Sequence, residues 1–290
     1  GTLLATSFVL FVHARIAMLD GIMAGFALVA IWMCAGAFRE HETARRRFAL
    51  AGLAIGCAIA TKWNAALLAA LPGAAFLAIR ARAARWRFLT ATRGLPVGGM
   101  SLVEAGVWLG VLPLVVYALS FAPYAFLERN PVTPAGLLAL NEHMLALQQQ
   151  VVTPHTYQSV WYEWLLNWRA IWYLYEPIDG AQRGIMVVGN PLTMLLGLPA
   201  MEWCAWVGLA RKRIDTAAVS LLFALSLFLW IVAPKPVQFY YHYLLPSCFL
   251  MAALALALDE LWRRGWRWGP LVALVGACAL FAYFWPILSA

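Results

Sequence analysis

The sequence predicts an all-α polytopic membrane protein, and three observations carry that prediction. The 290 residues are 64% hydrophobic and only 12% charged, with mean hydropathy +0.76, more apolar surface than a soluble fold of this length can hide. The apolar residues gather in runs of bilayer-spanning length. Fifteen of the 21 Lys and Arg residues sit in four short clusters between those runs: Arg39/Arg45/Arg46/Arg47, Arg80/Arg82/Arg85/Arg87/Arg93, Arg211/Lys212/Arg213 and Arg263/Arg264/Arg267. Short inner loops retain Lys and Arg during insertion, so these clusters mark one side of the membrane and the intervening segments the other. Dispersal of the +8 charge over separate loops, rather than one basic face, argues against a nucleic-acid partner.

The elements follow in order. Gly1–Val12 is apolar but shorter than the ~20 residues of a span, with no basic stretch or cleavage site of a signal peptide. It is expected to be part of a span whose beginning lies upstream. Ala17–Phe38 is the next span. Ala49–Leu77 reads as a hairpin broken by Lys62-Trp63-Asn64, with arms of about 14 residues that leave its turn below the outer surface. Leu95–Phe121 spans outward, and Pro123–Arg183 is a long outer segment of lower hydropathy. Four spans close the chain: Ile185–Leu209, Thr216–Ala233, Tyr240–Leu258 and Gly269–Leu288. Three regions result: residues 1–122, a partial N-terminal transmembrane region; 123–184, an outer segment, which the resemblance named below makes periplasmic; and 185–290, a C-terminal four-span region.

Within the outer segment, Asn141–Gln150 predicts a short polar helix. Across Gln158–Tyr175, Trp161, Trp164/Leu165, Trp168, Ile171/Trp172 and Tyr175 recur at steps of three and four. That stripe predicts a Trp-rich helix lying flat at the outer interface. The five cysteines (Cys34, Cys57, Cys204, Cys248, Cys278) all fall inside predicted spans, with no C-x-x-C pair. They read as small buried apolar residues rather than disulfide or zinc ligands.

Six cations lie outside the inner clusters: Arg15, Lys62, Arg129, Arg169, Arg183 and Lys235. Arg15 and Lys62 abut apolar spans, where a cation needs a partner. An anionic headgroup would supply one, and the Arg fork suits phosphate. The bland alternative for Arg15 is a snorkelling helix end or a pair with Asp20. The outer acids are Asp20, Glu128, Glu142, Glu163, Glu176 and Asp179, and none carries a motif that makes it a general base. No acid cluster calls for a metal. Pro234-Lys235-Pro236-Val237-Gln238-Phe239-Tyr240-Tyr241-His242-Tyr243 sets a cation and an imidazole among tyrosines. That composition fits either a phosphate-and-sugar site or an aromatic girdle. Walker, H-E-x-x-H, G-x-S-x-G and dinucleotide fingerprints are lacking.

Four segments resemble the protein O-mannosyltransferase family of polyprenyl-phosphate-dependent GT-C glycosyltransferases. Arg15-Ile-Ala-Met-Leu-Asp20 resembles the family's R-x-x-x-L-D, and Lys62-Trp63 its K-[WY] turn. Gly189-Asn190-Pro191 resembles its G-N-P, and Tyr241-His242-Tyr243-Leu244-Leu245-Pro246 its Y-H-Y-L-P with one extra leucine. The resemblance implies a GT-C-like helical bundle. It implies transfer of mannose or another hexose from a polyprenyl-phosphate donor substrate to Ser or Thr of a translocated polypeptide; a metal is compatible with such transfer, and no other cofactor is identified. Arg15, Lys62 and Lys235 would hold the carrier phosphate, and Asp20, Asn64, Tyr241, His242 and Tyr243 would contact substrate. The family's catalytic Asp-Glu pair is expected upstream of residue 1, so this chain by itself is expected to be inactive. The implied location is a bacterial inner membrane, multi-pass, with the site facing the periplasm. The competing readings are a lipid A or glycolipid transferase of the aminoarabinose-transferase type and a transporter. A transporter predicts interrupted spans repeated in both halves, and the Lys62 break has no counterpart in the second half.

Overall fold

The computed structural model describes residues 1–127, 132–150, 153–233 and 235–290; Glu128, Arg129 and Pro234 lie outside them. In chain order the helices are α1 (Thr2–Ala5), α2 (Phe8–Arg15), α3 (Leu19–Arg39), α4 (Ala44–Thr61), α5 (Ala66–Ala84), α6 (Leu102–Gly106), α7 (Leu112–Leu119), α8 (Leu137–Gln149) and α9 (Trp161–Leu165). The strands β1 (Ile171–Ile178) and β2 (Ala181–Val187) come next. The series closes with α10 (Pro191–Ala210), α11 (Ile214–Val232), α12 (Leu244–Arg263) and α13 (Trp268–Ser289). Among the described residues, seven helical segments are long and apolar enough to cross a membrane. The protein is a helical, multi-pass membrane protein.

The contacts divide the chain into two compact units that cut across the linear division. One joins residues 1–21 to residues 149–290; the other holds residues 22–148. In the second unit, α4 lies against α7 and the π-helical turn Val107–Val111. That wide turn sits just ahead of Pro113, which has no N–H to close a regular α turn. Gly52 and Gly56, one turn apart on α4, permit the approach: a Cβ at either would overlap backbone carbonyls of Trp108 or Pro113. Phe38, Phe48 and Phe76 pack edge-on and tilted beside them. At the end of α5, Arg80 is fully buried and donates to the carbonyls of Arg93 (2.8 Å), Val97 (2.8 Å) and Met100 (2.7 Å). A basic-loop residue thus organises the loop from inside instead of being solvated.

In the first unit, α10, α11 and α12 pack mutually and α13 joins α10 and α12. The expected N-terminal run is two short helices, broken at Thr6-Ser7, where Ser7 Oγ accepts from the Leu10 N–H.

Several expected bounds shift for local reasons. The arms either side of Lys62 are 18 and 19 residues because they absorb the neighbouring basic residues. The Leu95–Phe121 span becomes helical only at Leu102, after Gly94 and Gly99 at positive φ. There Ser101 Oγ caps the Glu104 N–H.

The largest correction concerns the Trp-rich interfacial helix. Helix is confined to Trp161–Leu165, and residues 171–187 are an antiparallel hairpin. Asn167 and Arg169 take positive φ (56° and 51°), which ends the helix. Ile171–Ile178 is rich in β-branched and aromatic residues. Asp179-Gly180, at φ 52° and 75°, makes the two-residue turn that matches strand twist. The aromatic residues form no single face: Trp164 is fully buried, Trp168 is 70% exposed and Tyr175 is 63% exposed.

Candidate functional site

Helix α2 ends at Arg15 in a Schellman turn. The Met18 N–H bonds the His13 carbonyl (3.0 Å) and the Ile16 N–H bonds that of Val12 (3.0 Å). The left-handed residue is Ala17, at φ 53°, where glycine is the usual occupant. This sharp reversal brings Asp20 into the first turn of α3. Arg15 remains exposed, and its Nη2 donates to the Ser289 carbonyl at 2.9 Å. Asp20 is 1% exposed and His13 fully buried.

The hairpin completes this corner. Its register slips between Trp172 and Leu174, so Tyr173 is the extra residue of a β-bulge. A bulge re-aims a side chain that a regular ladder would hold on its face. Here the Tyr173 hydroxyl meets His13 Nε2 at 3.1 Å. Tyr241 approaches the same imidazole, with ring centroids 6.5 Å apart. The Asp20 carboxylate lies near enough for its field to reach the hydroxyls of both tyrosines. Burial first, then that carboxylate and Tyr241, push the Tyr173 phenol well above its ordinary value of 10.0. Tyr173 is therefore a neutral hydroxyl at physiological pH. The corner thus holds a buried carboxylate, a buried imidazole and two half-buried phenols, with an arginine at its rim.

The other motif residues of this unit divide sharply. His242 and Tyr243 are buried at 1% and 0% exposure. The Phe239 N–H donates to His242 Nδ1 (3.0 Å), and the imidazole lies 3.8 Å, centroid to centroid, from Trp230. Trp164 packs on both residues, at 6.0 and 6.5 Å, with its Nε1–H bonded to Ser159 (2.8 Å). Lys235 is half-buried, beside the start of that loop. Gly189-Asn190-Pro191 forms a clasp. Asn167 exchanges two hydrogen bonds with the Gly189 backbone (2.7 and 3.0 Å) and accepts a third from the Tyr240 hydroxyl (2.7 Å). Asn190 Nδ2 donates to the carbonyls of Thr6 (3.3 Å) and Ala277 (3.1 Å), while its Oδ1 caps α10 at Leu192. The Thr6 carbonyl is one that the α1–α2 break would otherwise strand.

Lys62 and Asn64 belong to the other unit. Lys62 is extended (φ −161°, ψ 128°) between α4 and a 3-10 turn, Trp63–Ala65. Trp63 Nε1–H donates to the Tyr117 hydroxyl (2.9 Å), which in turn bonds Asn141. The Asn64 Oδ1 is enclosed without a hydrogen-bond partner among the described residues. Among the described outer charges, Arg169 pairs with Glu163 (3.4 Å), and Arg183 faces Glu176 across the hairpin.

Sequence reasoning thus selected Arg15, Asp20 and Tyr241, and missed His13, Tyr173 and Asn167. The Asp179-Gly180 dipeptide was a readable signal for the hairpin that delivers Tyr173. No local signal pairs Tyr173 with His13, 160 residues away.

Comparison with known proteins agrees with the motif reading. Residues 1–126 match the family model for dolichyl-phosphate-mannose-protein mannosyltransferase. A polyprenol-phosphate-mannose–protein mannosyltransferase of Mycobacterium tuberculosis is 24% identical over 352 residues, covering 100% of this chain and 66% of the relative. The chain is similar to proteins described as protein mannosyltransferases. Proteins of the same description from Mycolicibacterium smegmatis and Corynebacterium glutamicum are 23% and 22% identical. They cover 90% and 98% of this chain, and 60% and 64% of their own lengths. The chain therefore spans about two thirds or less of these relatives. No solved structure matches.

Proposed function

We propose that the chain belongs to a membrane glycosyltransferase. It passes mannose, or another hexose, from a polyprenyl-phosphate carrier to Ser or Thr of translocated proteins, at the periplasmic face of a bacterial inner membrane. The observation that carries this reading is similarity along the whole chain to proteins described as polyprenol-phosphate-mannose–protein mannosyltransferases. The corner of α2 and α3 supplies chemistry to match. Arg15 offers a guanidinium to the carrier phosphate and stabilises the charge that grows there as the sugar leaves. Asp20 and Tyr241 contact the sugar, and Lys62, Asn64 and Lys235 are further contacts to carrier or sugar. His242 and Tyr243 support Tyr241 from the aromatic core behind it. The acceptor hydroxyl attacks the anomeric carbon and the bond to the phosphate oxygen breaks. The hydroxyl proton passes to a carboxylate of the acidic pair that the resemblance places in the first outer loop.

The test uses membranes carrying the full-length gene product, radiolabelled polyprenyl-phosphate mannose, and either a Ser/Thr-rich peptide or a glycolipid as acceptor. Label in the peptide is the expected result. Label in lipid alone reassigns the protein to the aminoarabinose-transferase type, and label in neither acceptor overturns the reading.

A further inference from the structure

We propose that Tyr173 is a positioning residue for the carrier-binding corner, acting through His13. The inference rests on the functional reading above and extends it to two residues that no motif names. Three observations support it. Tyr173 is the extra residue of the β-bulge, so the hairpin breaks its own ladder to turn this one side chain. The hydroxyl it delivers meets His13 Nε2 at 3.1 Å. His13 is fully buried and lies in the last turn of α2, two residues before Arg15 and in the turn whose carbonyl closes the Schellman motif. That motif holds Ala17 in a left-handed conformation costing about 1–2 kcal/mol. Such a turn keeps its shape only when its surroundings over-determine it. The Tyr173–His13 bond is a polar link from the hairpin to that turn, beside the packing of α2 on β2. It fixes the spacing between the Arg15 guanidinium and the Asp20 carboxylate, and with it the affinity for a polyprenyl phosphate.

Tyr173→Phe keeps the ring and removes the hydroxyl. In the full-length protein it is expected to raise the KM for polyprenyl-phosphate mannose about tenfold, the value of one buried hydrogen bond, with kcat within about twofold. Tyr162→Phe, the same change at an exposed residue of α9, is expected to alter neither. His13→Gln keeps a side-chain nitrogen at similar reach and is expected to retain carrier use better than His13→Ala. Adding Tyr173→Phe to His13→Ala should then cost nothing further.

Binding of sugar-free polyprenyl phosphate, read as the rise in unfolding temperature of the detergent-solubilised full-length protein, gives a readout that does not need transfer. If the wild type is stabilised and Tyr173→Phe much less so, the positioning role stands even where no mannose is transferred, and only the functional reading fails. If both proteins are stabilised alike, or if the Tyr173 and His13 effects simply add, the positioning role is overturned. If polyprenyl phosphate stabilises neither, both inferences fall.

Discussion

The clasp around Asn167, Gly189, Asn190 and Tyr240 and the corner of His13, Asp20, Tyr173 and Tyr241 lie in the same compact unit and carry equally suggestive motifs. They differ in how their polar atoms are used. In the clasp, each amide hydrogen bond is to backbone or to a neighbouring phenol, and the groups are neutral. A Cβ on Gly189 would lie 2.5 Å from Met194 Cγ and 2.8 Å from both Asn167 Oδ1 and the Tyr240 hydroxyl. The corner instead holds a carboxylate and an imidazole behind two half-buried phenols and an exposed arginine. Resemblance in sequence marks both places. Satisfied neutral bonds fit the first to an architectural role, and a charged corner with an exposed arginine fits the second to the proposed chemistry.

Substitutions at the two places should separate stability from activity. The largest effect is expected at Gly189→Ala, which forces the clasp apart. A loss of about 3 kcal/mol, read as a lowered unfolding midpoint in detergent, should accompany loss of folded protein; an unchanged midpoint would show that the clasp is not structural. Asp20→Asn should do the reverse. Transfer is expected to fall about 100-fold, the upper worth of a hydrogen bond from the sugar to a charged carboxylate, while the midpoint moves far less than for Gly189→Ala, and a comparable unfolding shift would make Asp20 part of the architecture. Arg15→Ala should raise the KM for the polyprenyl-phosphate donor about tenfold, the worth of one charge-assisted bond. Arg129→Ala, outside the described residues, should weaken carrier use less. Equal effects of the two arginines would remove Arg15 from the phosphate. The smallest effect is expected at Ala17→Gly, which relieves the left-handed turn. Its midpoint should rise by the equivalent of no more than about 1 kcal/mol, and a fall would show that the turn is unstrained.

Much of the membrane topography was legible because hydropathy and the basic clusters are local signals. The predicted spans at Ala17–Phe38, Thr216–Ala233 and Gly269–Leu288 lie within two residues of α3, α11 and α13 at each end. The Trp stripe misled because steps of three and four were counted through Asn167 and Arg169, whose backbone leaves the helical region. Arg80 shows a second limit. Composition placed it in a basic inner loop, yet three loop carbonyls converge on its buried guanidinium. The motif at Tyr241-His242-Tyr243 was found as a block, but its three side chains do not share one environment. Tyr241 turns to His13, while His242 and Tyr243 turn to Trp164 and Trp230 or Phe223.

By itself the sequence determined which segments are apolar enough to enter a bilayer, where the basic clusters fall between them, and that Arg15 and Asp20 stand five residues apart at the edge of a span. These depend on neighbours a few residues apart, and the free energy of transferring a helix into hydrocarbon is close to a sum over its residues. Tertiary structure alone decided that a bulge would aim Tyr173 at His13 and that Asn190 would gather carbonyls from Thr6 and Ala277. Hydrogen bonds between groups so distant in the chain form only after packing has fixed their separation to a few tenths of an ångström.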